Sequence, residues 1–126
     1  MPLADLVRIV CAGAAAAMAV APFVGTETVV QTPLFPPPWD KMAHFIYYGS
    51  MAALIAHAVG LRWLWLPLVL VPVIGAADEW YQSLTPGRDA SLWDWAADEA
   101  GVVTFILAYW QWARRGRASR GQTYAS

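Results

Sequence analysis

Four stretches of this 126-residue chain are apolar over about the length that a helix needs to cross a lipid bilayer. The hydrocarbon core of a bilayer is about 30 Å thick and requires roughly 20 helical residues. Within lipid the backbone must satisfy its own hydrogen bonds, and an α-helix does so inside one segment. The predicted spans are residues 3–24, 39–59, 62–84 and 91–113. We therefore expect an all-α fold, an integral membrane four-helix bundle in which residues 1–126 form one domain.

The composition agrees with a membrane environment. Hydrophobic residues make up 59% of the chain and charged residues 13%, which is more apolar surface than a soluble core of this size absorbs. The formal net charge of -1 gives no sign of nucleic-acid binding. The single cysteine, Cys11, lies in an Ala-rich apolar run, so the chain has no disulfide framework and we expect an inert packed thiol.

The segments between the spans contain residues that begin or end helices. "PFVGTETVVQTPLFPPP" predicts a long first loop, "GLR" a tight second one and "TPGRDAS" a third. The third loop ends at Ser91, a favourable helix N-cap, and Asp94 three residues later predicts a capping box. Pro67 and Pro72 lie inside the third span, where we expect them to bend the helix.

Basic and aromatic residues predict the orientation of the bundle. Six of the eight basic residues fall at the N-terminus, in the second loop or after the fourth span: Arg8, Arg62, Arg114, Arg115, Arg117 and Arg120. The positive-inside rule places these segments, including a basic tail at 114–126, in the cytoplasm. Tryptophans flank both ends, with Trp39, Trp80, Trp93 and Trp95 expected at the outer interface and Trp63, Trp65, Trp110 and Trp112 at the inner one. Both termini are then cytoplasmic.

A cleaved signal peptide is the alternative for the first span, because "AVA" before Pro22 has the small residues of a cleavage site. Asp5 weakens the positively charged segment that such a peptide needs. Its removal would also leave an odd number of spans. The multi-pass arrangement in a bacterial cell membrane is therefore the expectation, and the signal peptide stays as the alternative.

The polar residues of the last three spans share one depth. At a rise of 1.5 Å per residue, His44 lies about 7 Å below the outer end of the second span, and Asp78 and Asp98 lie about 8 to 11 Å below the outer ends of theirs. Seven of the nine acids fall in this outer layer: Asp40, Asp78, Glu79, Asp89, Asp94, Asp98 and Glu99. Lys41 and Arg88 are the bases of the layer. Such a concentration of charge indicates a site, because charges at membrane depth are costly.

Helical periodicity places these residues on one face of each span. At roughly 100° per residue, the polar faces comprise Asp40, Lys41, His44, Tyr47 and Tyr48 on the second helix, Asp78, Glu79 and Gln82 on the third, and Ser91, Asp94, Asp98 and Gly101 on the fourth. Glu99 turns away from its stripe. A purely structural reading remains open, in which the same residues cap helices, extend to the interface or pair with one another.

The pattern "DKMAHFIYYGSMA" followed by "ADEWYQSLTPGRDASLWDWAADEAG" resembles the VanZ-like family of small bacterial membrane proteins over residues 40–101. The matching positions are Asp40, Lys41, His44, Tyr48, Asp78, Glu79, Gln82, Arg88, Ser91, Asp94 and Gly101. The family usually has Asn where this chain has Asp98, which adds a negative charge where an amide is usual. The namesake of the family is associated with reduced susceptibility to teicoplanin, a glycopeptide with a fatty-acyl tail. The resemblance thus implies a role in the cell envelope and in lipoglycopeptide resistance.

Three functions are compatible with the layer. In the first, an outer-leaflet polar site binds or handles a membrane lipid or a lipidated envelope molecule, with these ligand-binding residues: Asp40, Lys41, Tyr48, Gln82, Arg88, Ser91, Asp94 and Asp98. Arg88 would act as a bidentate anion clamp and Lys41 as a point charge. In the third, the chain is a structural or accessory envelope protein whose polar layer holds the four helices together.

The second function is an intramembrane enzyme that acts on a lipid head group, with His44, Asp78 and Glu79 as its catalytic residues. In this hypothesis the cofactor is left open: a divalent metal ion could bind through Asp78, Glu79 or Asp94, with His44 as a further ligand or general base. Without a metal, His44 between Asp40 and Tyr48 would act as an acid–base relay. Carboxylates alone favour magnesium, calcium or manganese, whereas an added imidazole favours zinc or manganese. The sequence leaves open whether the protein is an enzyme, which ligand it binds and how many copies associate.

Cysteine labelling tests the predicted orientation. In a Cys11→Ala background, Ser83→Cys near the third loop should react with a membrane-impermeant thiol reagent added to intact cells, because that end is expected outside. Ser119→Cys in the basic tail should react only after the cells are permeabilised. Labelling of Ser119→Cys from outside, with Ser83→Cys protected, would reverse the predicted topology.

Overall fold

The structure is a computed structural model that describes residues 1–24, 36–88 and 90–122. This part of the chain is all helical. Its elements are α1 (Leu3–Val20), a 3-10 turn (Ala21–Phe23), α2 (Trp39–Val59), a second 3-10 turn (Leu61–Trp63), α3 (Trp65–Ser83) and α4 (Leu92–Gln122). The all-α prediction is therefore confirmed. Most of the predicted first loop, Asp89 and residues 123–126 of the predicted tail lie outside the described residues.

Gly60 forms the tight connection between α2 and α3. Its φ of 78° is in the left-handed region that favours glycine, and its N–H donates to the carbonyl of Ala56, 2.8 Å away, at the end of α2. A 3-10 turn follows, so α3 begins at Trp65 and not at the predicted residue 62. The two helices are consequently joined without a long loop, as "GLR" predicts.

The fourth helix is longer than the predicted span. It continues past residue 113 to Gln122, so the basic segment that was expected as a tail extends the helix. The segment "RRGRASRGQ" has four arginines and no proline. Arginine has a high helix propensity, and no residue there lacks the backbone N–H that a helix needs.

Helix α2 lies at the centre of the bundle and packs most extensively against α4. Gly101 on α4 faces the backbone of α2, where an added Cβ would overlap the carbonyl oxygen of Phe45. Gly49 on α2 faces the ring of Phe105, whose Cδ2 would lie 2.6 Å from an added Cβ. Glycine at these two positions therefore lets the two helices approach backbone to backbone, as small residues do in membrane bundles.

The distribution of polarity is opposite to that of a water-soluble domain. The buried residues include the charged or polar side chains of Asp78, Glu79, Gln82, Asp94 and Asp98. Large apolar residues cover much of the outside, among them Ile9, Val10, Ile46, Val69, Val73, Val103 and Leu107. Seven of the tryptophans are also exposed: Trp39, Trp63, Trp65, Trp80, Trp93, Trp110 and Trp112. An apolar exterior of this extent marks a surface that contacts something other than water.

Two helical segments of the described chain have the length and hydropathy of a membrane span, Leu3–Phe23 and Trp39–Val59. Both correspond to predicted spans. Helices α3 and α4 contain Asp78, Glu79, Asp94 and Asp98 within their length, and neither meets the same measure. A hydropathy average counts buried and exposed residues alike. These acids are buried inside the bundle, so the exposed faces of α3 and α4 are more apolar than the average over each helix.

Replacing the glycine at the α2–α4 contact tests this packing. Gly101→Ala places a methyl group against the backbone of Phe45, which cannot move independently of α2, so we expect a loss of about 1–3 kcal/mol of stability. Gly13→Ala is the matched control, since an added Cβ there has open space around it and alanine favours a helix by up to about 1 kcal/mol. Thermal unfolding in detergent should show a lower midpoint for Gly101→Ala only; equal midpoints would contradict the close approach.

Candidate functional site

Polar faces of α2, α3 and α4 meet at one level of the bundle. We call this set the polar cluster, and it comprises Asp40, Lys41, His44, Tyr48, Asp78, Glu79, Gln82, Ser91, Asp94 and Asp98. Three contacts join its helices: Lys41 to Asp94, His44 to Asp98 and Tyr48 to Asp78. The structure therefore brings residues of the three predicted polar faces into contact at these pairs.

His44 and Asp98 form the central pair of the cluster. The His44 Nδ1 lies 2.9 Å from Asp98 Oδ1, and the Asp98 side chain is only 1% exposed. The Asp98 carboxylate contacts the imidazole directly and forms an acid–imidazole pair between α2 and α4. A pair of this kind fixes the orientation of the ring.

Tyr48 joins α2 to α3. Its hydroxyl donates to Asp78 Oδ2 over 2.7 Å, and both residues are buried. Tyr47, which helical periodicity placed on the same polar face, points elsewhere: its hydroxyl donates to the backbone carbonyl of Met18 on α1 over 2.7 Å. The sequence assigned Tyr47 correctly to the arc next to Tyr48, but α1 packs against the edge of that arc and accepts its hydrogen bond.

Lys41 is bound by two carboxylates. Its Nζ lies 3.0 Å from Asp40 Oδ2 and 2.9 Å from Asp94 Oδ1. Asp94 belongs to α4, so the ion pair connects the first turns of α2 and α4. Lys41 also has the most exposed side chain among the ion-paired residues of the cluster, at 39%.

The beginning of α4 differs from the predicted capping box. Ser91 is an N-cap as expected, because its Oγ accepts the backbone N–H of Asp94 over 3.3 Å. The second predicted hydrogen bond of the box, from the Ser91 backbone N–H to the Asp94 carboxylate, is wrong, since that carboxylate is bound to Lys41. The backbone N–H of Ser91 donates instead to Glu79 Oε2 on α3, 2.7 Å away. A residue distant in sequence has displaced the local partner.

Exposure decreases from one edge of the cluster towards its interior. The exposed fraction of the side chain falls from 39% at Lys41 through 23% at Asp40, 17% at His44 and 12% at Asp94 to 1% at Asp98. The first turn of α2 is therefore the open edge of the cluster. A polar group that enters the cluster there meets Lys41 and Asp40 before it reaches His44.

Several buried polar atoms of the cluster have no hydrogen-bond partner within the described part of the chain. They are Asp40 Oδ1, Asp78 Oδ1, Glu79 Oε1, Gln82 Nε2 and Asp98 Oδ2, with Glu99 Oε1 beside them. A buried polar atom without a partner costs about 1–3 kcal/mol, and more when the group is charged. The cluster also combines five carboxylates with one lysine. Both features indicate a site that interacts with a cation, a proton or a polar ligand.

One subset of the cluster has the spacing of metal ligands. His44, Glu79 and Asp98 each offer a ligand atom, and these atoms lie within 4.8 Å of one another. Asp78 and Asp94, which the sequence suggested as ligands beside Glu79, are instead bound to Tyr48 and Lys41. The sequence suggested Asp98 as a ligand-binding residue but not as a metal ligand, although its position four residues after Asp94 placed it on the same face.

Three further residues had predicted roles: Gln82 within the cluster, and Arg88 and Trp95 outside it. Gln82 is buried on α3, one turn after Asp78 and Glu79. Arg88 is half-buried in the turn between α3 and α4, and its backbone N–H donates to the Thr85 carbonyl. Trp95 was expected at the outer interface, yet it is half-buried and its indole N–H lies 3.4 Å from the Pro72 carbonyl. The backbone carbonyl of Pro72 on α3 is thus the acceptor for the Trp95 indole N–H.

Two cavities lie at the opposite end of the bundle. One has a volume of about 190 Å³ and is lined by Arg8, Arg117 and Tyr109 among others. The other is an open groove of about 530 Å³ beside Cys11 and His57. The His57 ring also contacts those of Tyr109 and Trp112, which agrees with the predicted aromatic region at the inner end of the bundle. Neither of these two cavities is lined by a residue of the polar cluster.

No protein-family model, curated protein or solved structure matches the chain. The class of the protein is accordingly defined by its own features, an all-helical bundle with an apolar exterior and a buried acidic cluster.

Tyr48→Phe tests the hydrogen bond between α2 and α3. The change removes only the hydroxyl and leaves both Asp78 oxygens without a partner, so we expect a loss of about 1–3 kcal/mol of stability. Tyr109→Phe is the control, because its ring packs at the other end of the bundle. Thermal unfolding in detergent should show a smaller loss for Tyr48→Phe in an Asp78→Asn background than in the wild type. Identical losses in both backgrounds would show that the two groups do not interact.

Proposed function

We propose that this chain is a VanZ-like protein of the bacterial cytoplasmic membrane, with four transmembrane helices and both termini in the cytoplasm. The apolar exterior supports this proposal, since large apolar residues such as Val73 on α3 and Leu107 on α4 are exposed in the described part of the chain. The acidic side chains of α3 and α4 face the bundle interior, which is where polar residues of membrane helices are found. The basic residues near Arg8, Arg62 and Arg114 support the orientation.

Within that membrane, the polar cluster binds or handles the head group of a lipid or a lipidated envelope molecule at the outer leaflet. The observation that supports this most is the set of buried carboxylate and amide atoms without partners. A cluster whose only task was to hold helices together would pair these atoms, because each unpaired one lowers stability. The structural or accessory role is therefore the less favoured reading.

The exposure gradient suggests how a head group is oriented. Lys41, the most exposed member, is a point charge suited to an anionic group, although Asp40 and Asp94 already share its charge. Arg88 lies in the turn that brings Ser91 to Glu79, and its planar guanidinium would add a bidentate clamp. The acids deeper in the cluster, such as Asp78, would accept hydrogen bonds from hydroxyl or amine groups.

An intramembrane enzyme is the second candidate, and the His44–Asp98 pair is the observation that favours it. A carboxylate at 2.9 Å orients the imidazole and stabilises its protonated form, which is the arrangement of a general base. The nearby Asp78 and Glu79 would then position or activate the substrate. The two candidates share the same binding site and differ only in whether the bound molecule is chemically changed.

The resemblance to the VanZ-like pattern connects this site to lipoglycopeptide resistance. Teicoplanin-type antibiotics combine a polar glycopeptide with a fatty-acyl tail. Such a molecule would place its tail among membrane helices and its polar part at the level of the cluster. The same geometry suits a lipid-linked cell-wall intermediate, so both belong to the class of amphiphiles that the site would bind.

Three substitutions test the proposed site together. Arg88→Lys keeps the charge and loses the planar fork, His44→Ala removes the imidazole, and Asp78→Asn keeps the shape and removes the charge. We expect each to abolish the change in teicoplanin susceptibility that the wild-type chain confers on a susceptible host. Residues that act as one unit give non-additive effects, so the double variants should be no worse than the single ones.

His57→Ala is the matched control, because it removes the other histidine at the far end of α2. The amount of folded protein in the membrane is measured for every variant by detergent extraction and size-exclusion chromatography. If the three variants fold and remain fully active, the cluster has only a structural role. A wild-type chain without any effect on susceptibility would refute the link to lipoglycopeptides.

A further inference from the structure

We propose that His44, Glu79 and Asp98 together bind one divalent transition-metal ion between α2, α3 and α4. Each ligand comes from a different helix, so the site exists only in the folded bundle. One imidazole and two carboxylates favour zinc or manganese over magnesium and calcium, which prefer oxygen ligands alone.

The spacing of the three groups fits a small ion. Their ligand atoms lie within 4.8 Å of one another. Ligand atoms bound to one zinc ion at about 2.0–2.1 Å lie about 3.3 Å apart when the geometry is tetrahedral. The largest allowed separation exceeds this value by about 1.5 Å, which side-chain rotation can close. His44 and Asp98 are already 2.9 Å apart.

The unpaired oxygens are the independent sign that a ligand belongs here. Asp98 Oδ2 and Glu79 Oε1 are buried without a partner in the described chain, on side chains of residues that are 1% and 8% exposed. Asp98 Oδ2 lies 3.0 Å from the point where a Cβ of Gly75 would stand. Gly75 precedes Glu79 by one helical turn, so this oxygen faces the side of α3 that carries Glu79. Asp98 Oδ2 is therefore directed into the space between α3 and α4.

The neighbouring contacts hold the ligands in place. Glu79 Oε2 accepts the Ser91 backbone N–H, which leaves Oε1 as the oxygen available to a metal ion. His44 stacks on Tyr48 with a distance of 6.0 Å between ring centroids, and Tyr48 is fixed by Asp78. Such outer contacts orient metal ligands and raise affinity.

Charge also favours a bound cation. The five carboxylates of the cluster face a single lysine, and Lys41 is already shared by Asp40 and Asp94. Asp98 is paired with the imidazole of His44, and Glu79 accepts the Ser91 backbone N–H. A divalent ion would compensate two buried negative charges where a low dielectric makes them most costly.

Three protein ligands leave at least one coordination position open, as in catalytic zinc sites. An anionic head group or a water molecule would occupy that position. This last step rests on the function proposed above, whereas metal binding by the three side chains does not depend on it.

Metal titration of the purified full-length chain tests the site. The protein is prepared in detergent without a polyhistidine tag, stripped with a chelator and then titrated with zinc or manganese chloride. We expect one ion per chain by elemental analysis, together with a higher midpoint of thermal unfolding. Cobalt(II) in place of zinc should give visible absorption bands that report on ligand identity.

Asp98→Asn and Glu79→Gln should each weaken binding by at least about 10-fold, and His44→Ala should also change the cobalt spectrum. Asp5→Asn and His57→Ala are the matched controls, an acid on α1 and a histidine at the far end of α2, and should bind within about 3-fold of wild type. Two acid variants are used so that misfolding of one does not decide the result, and each is compared by size-exclusion profile.

Absence of stoichiometric binding at about 1 mM metal, roughly a thousandfold above the dissociation constant of a micromolar site, would overturn the inference. Equal affinity in Asp98→Asn and wild type would do the same. Metal binding in a chain that has no effect on lipoglycopeptide susceptibility would support the metal site and refute the proposed function. The converse result, an active chain that binds no metal, would refute the metal site alone.

Discussion

The close contact between α2 and α4 at Gly101 is the constraint on which the rest of the structure depends. Without a side chain at this position, the α4 backbone reaches the carbonyl of Phe45 on α2. One turn towards the open edge, the same proximity brings His44 within 2.9 Å of Asp98, and a further turn brings Lys41 to Asp94. A bulkier residue would separate the helices, and every polar contact between them would lengthen.

The burial of acids beneath an apolar exterior gives this bundle its functional character. In lipid the outer residues need no further cover, whereas each buried carboxylate requires a partner. The partners are Lys41, His44, Tyr48 and the Ser91 N–H, and among the described residues the second oxygens of Asp78, Glu79 and Asp98 have none. A bound head group or a bound metal ion would each supply partners for these oxygens. The two proposals are compatible because an ion with an open coordination position can itself contact a head group.

Local sequence rules succeeded where the determining interaction lies within one helix. Apolar length predicted the helices, glycine predicted the turn at Gly60, and periodicity placed His44 and Tyr48 on one face. The same rules failed where a distant residue competes. Asp94 would cap its own helix but binds Lys41, and the Ser91 N–H donates to Glu79 on α3. A stronger long-range partner overrides a local preference in each case.

The sequence by itself determined the all-helical class, the level at which the polar residues concentrate and the faces that they occupy, because these follow from hydropathy and the 3.6-residue period. Only the tertiary structure decided which residues pair. The packing of three helices selected Asp98 as the partner of His44, placed Glu79 rather than Asp78 beside that pair, and directed Tyr47 to α1. Periodicity defines the direction of a side chain around its own helix axis, but the rotation of one helix against another depends on packing at contacts such as Gly101 with Phe45.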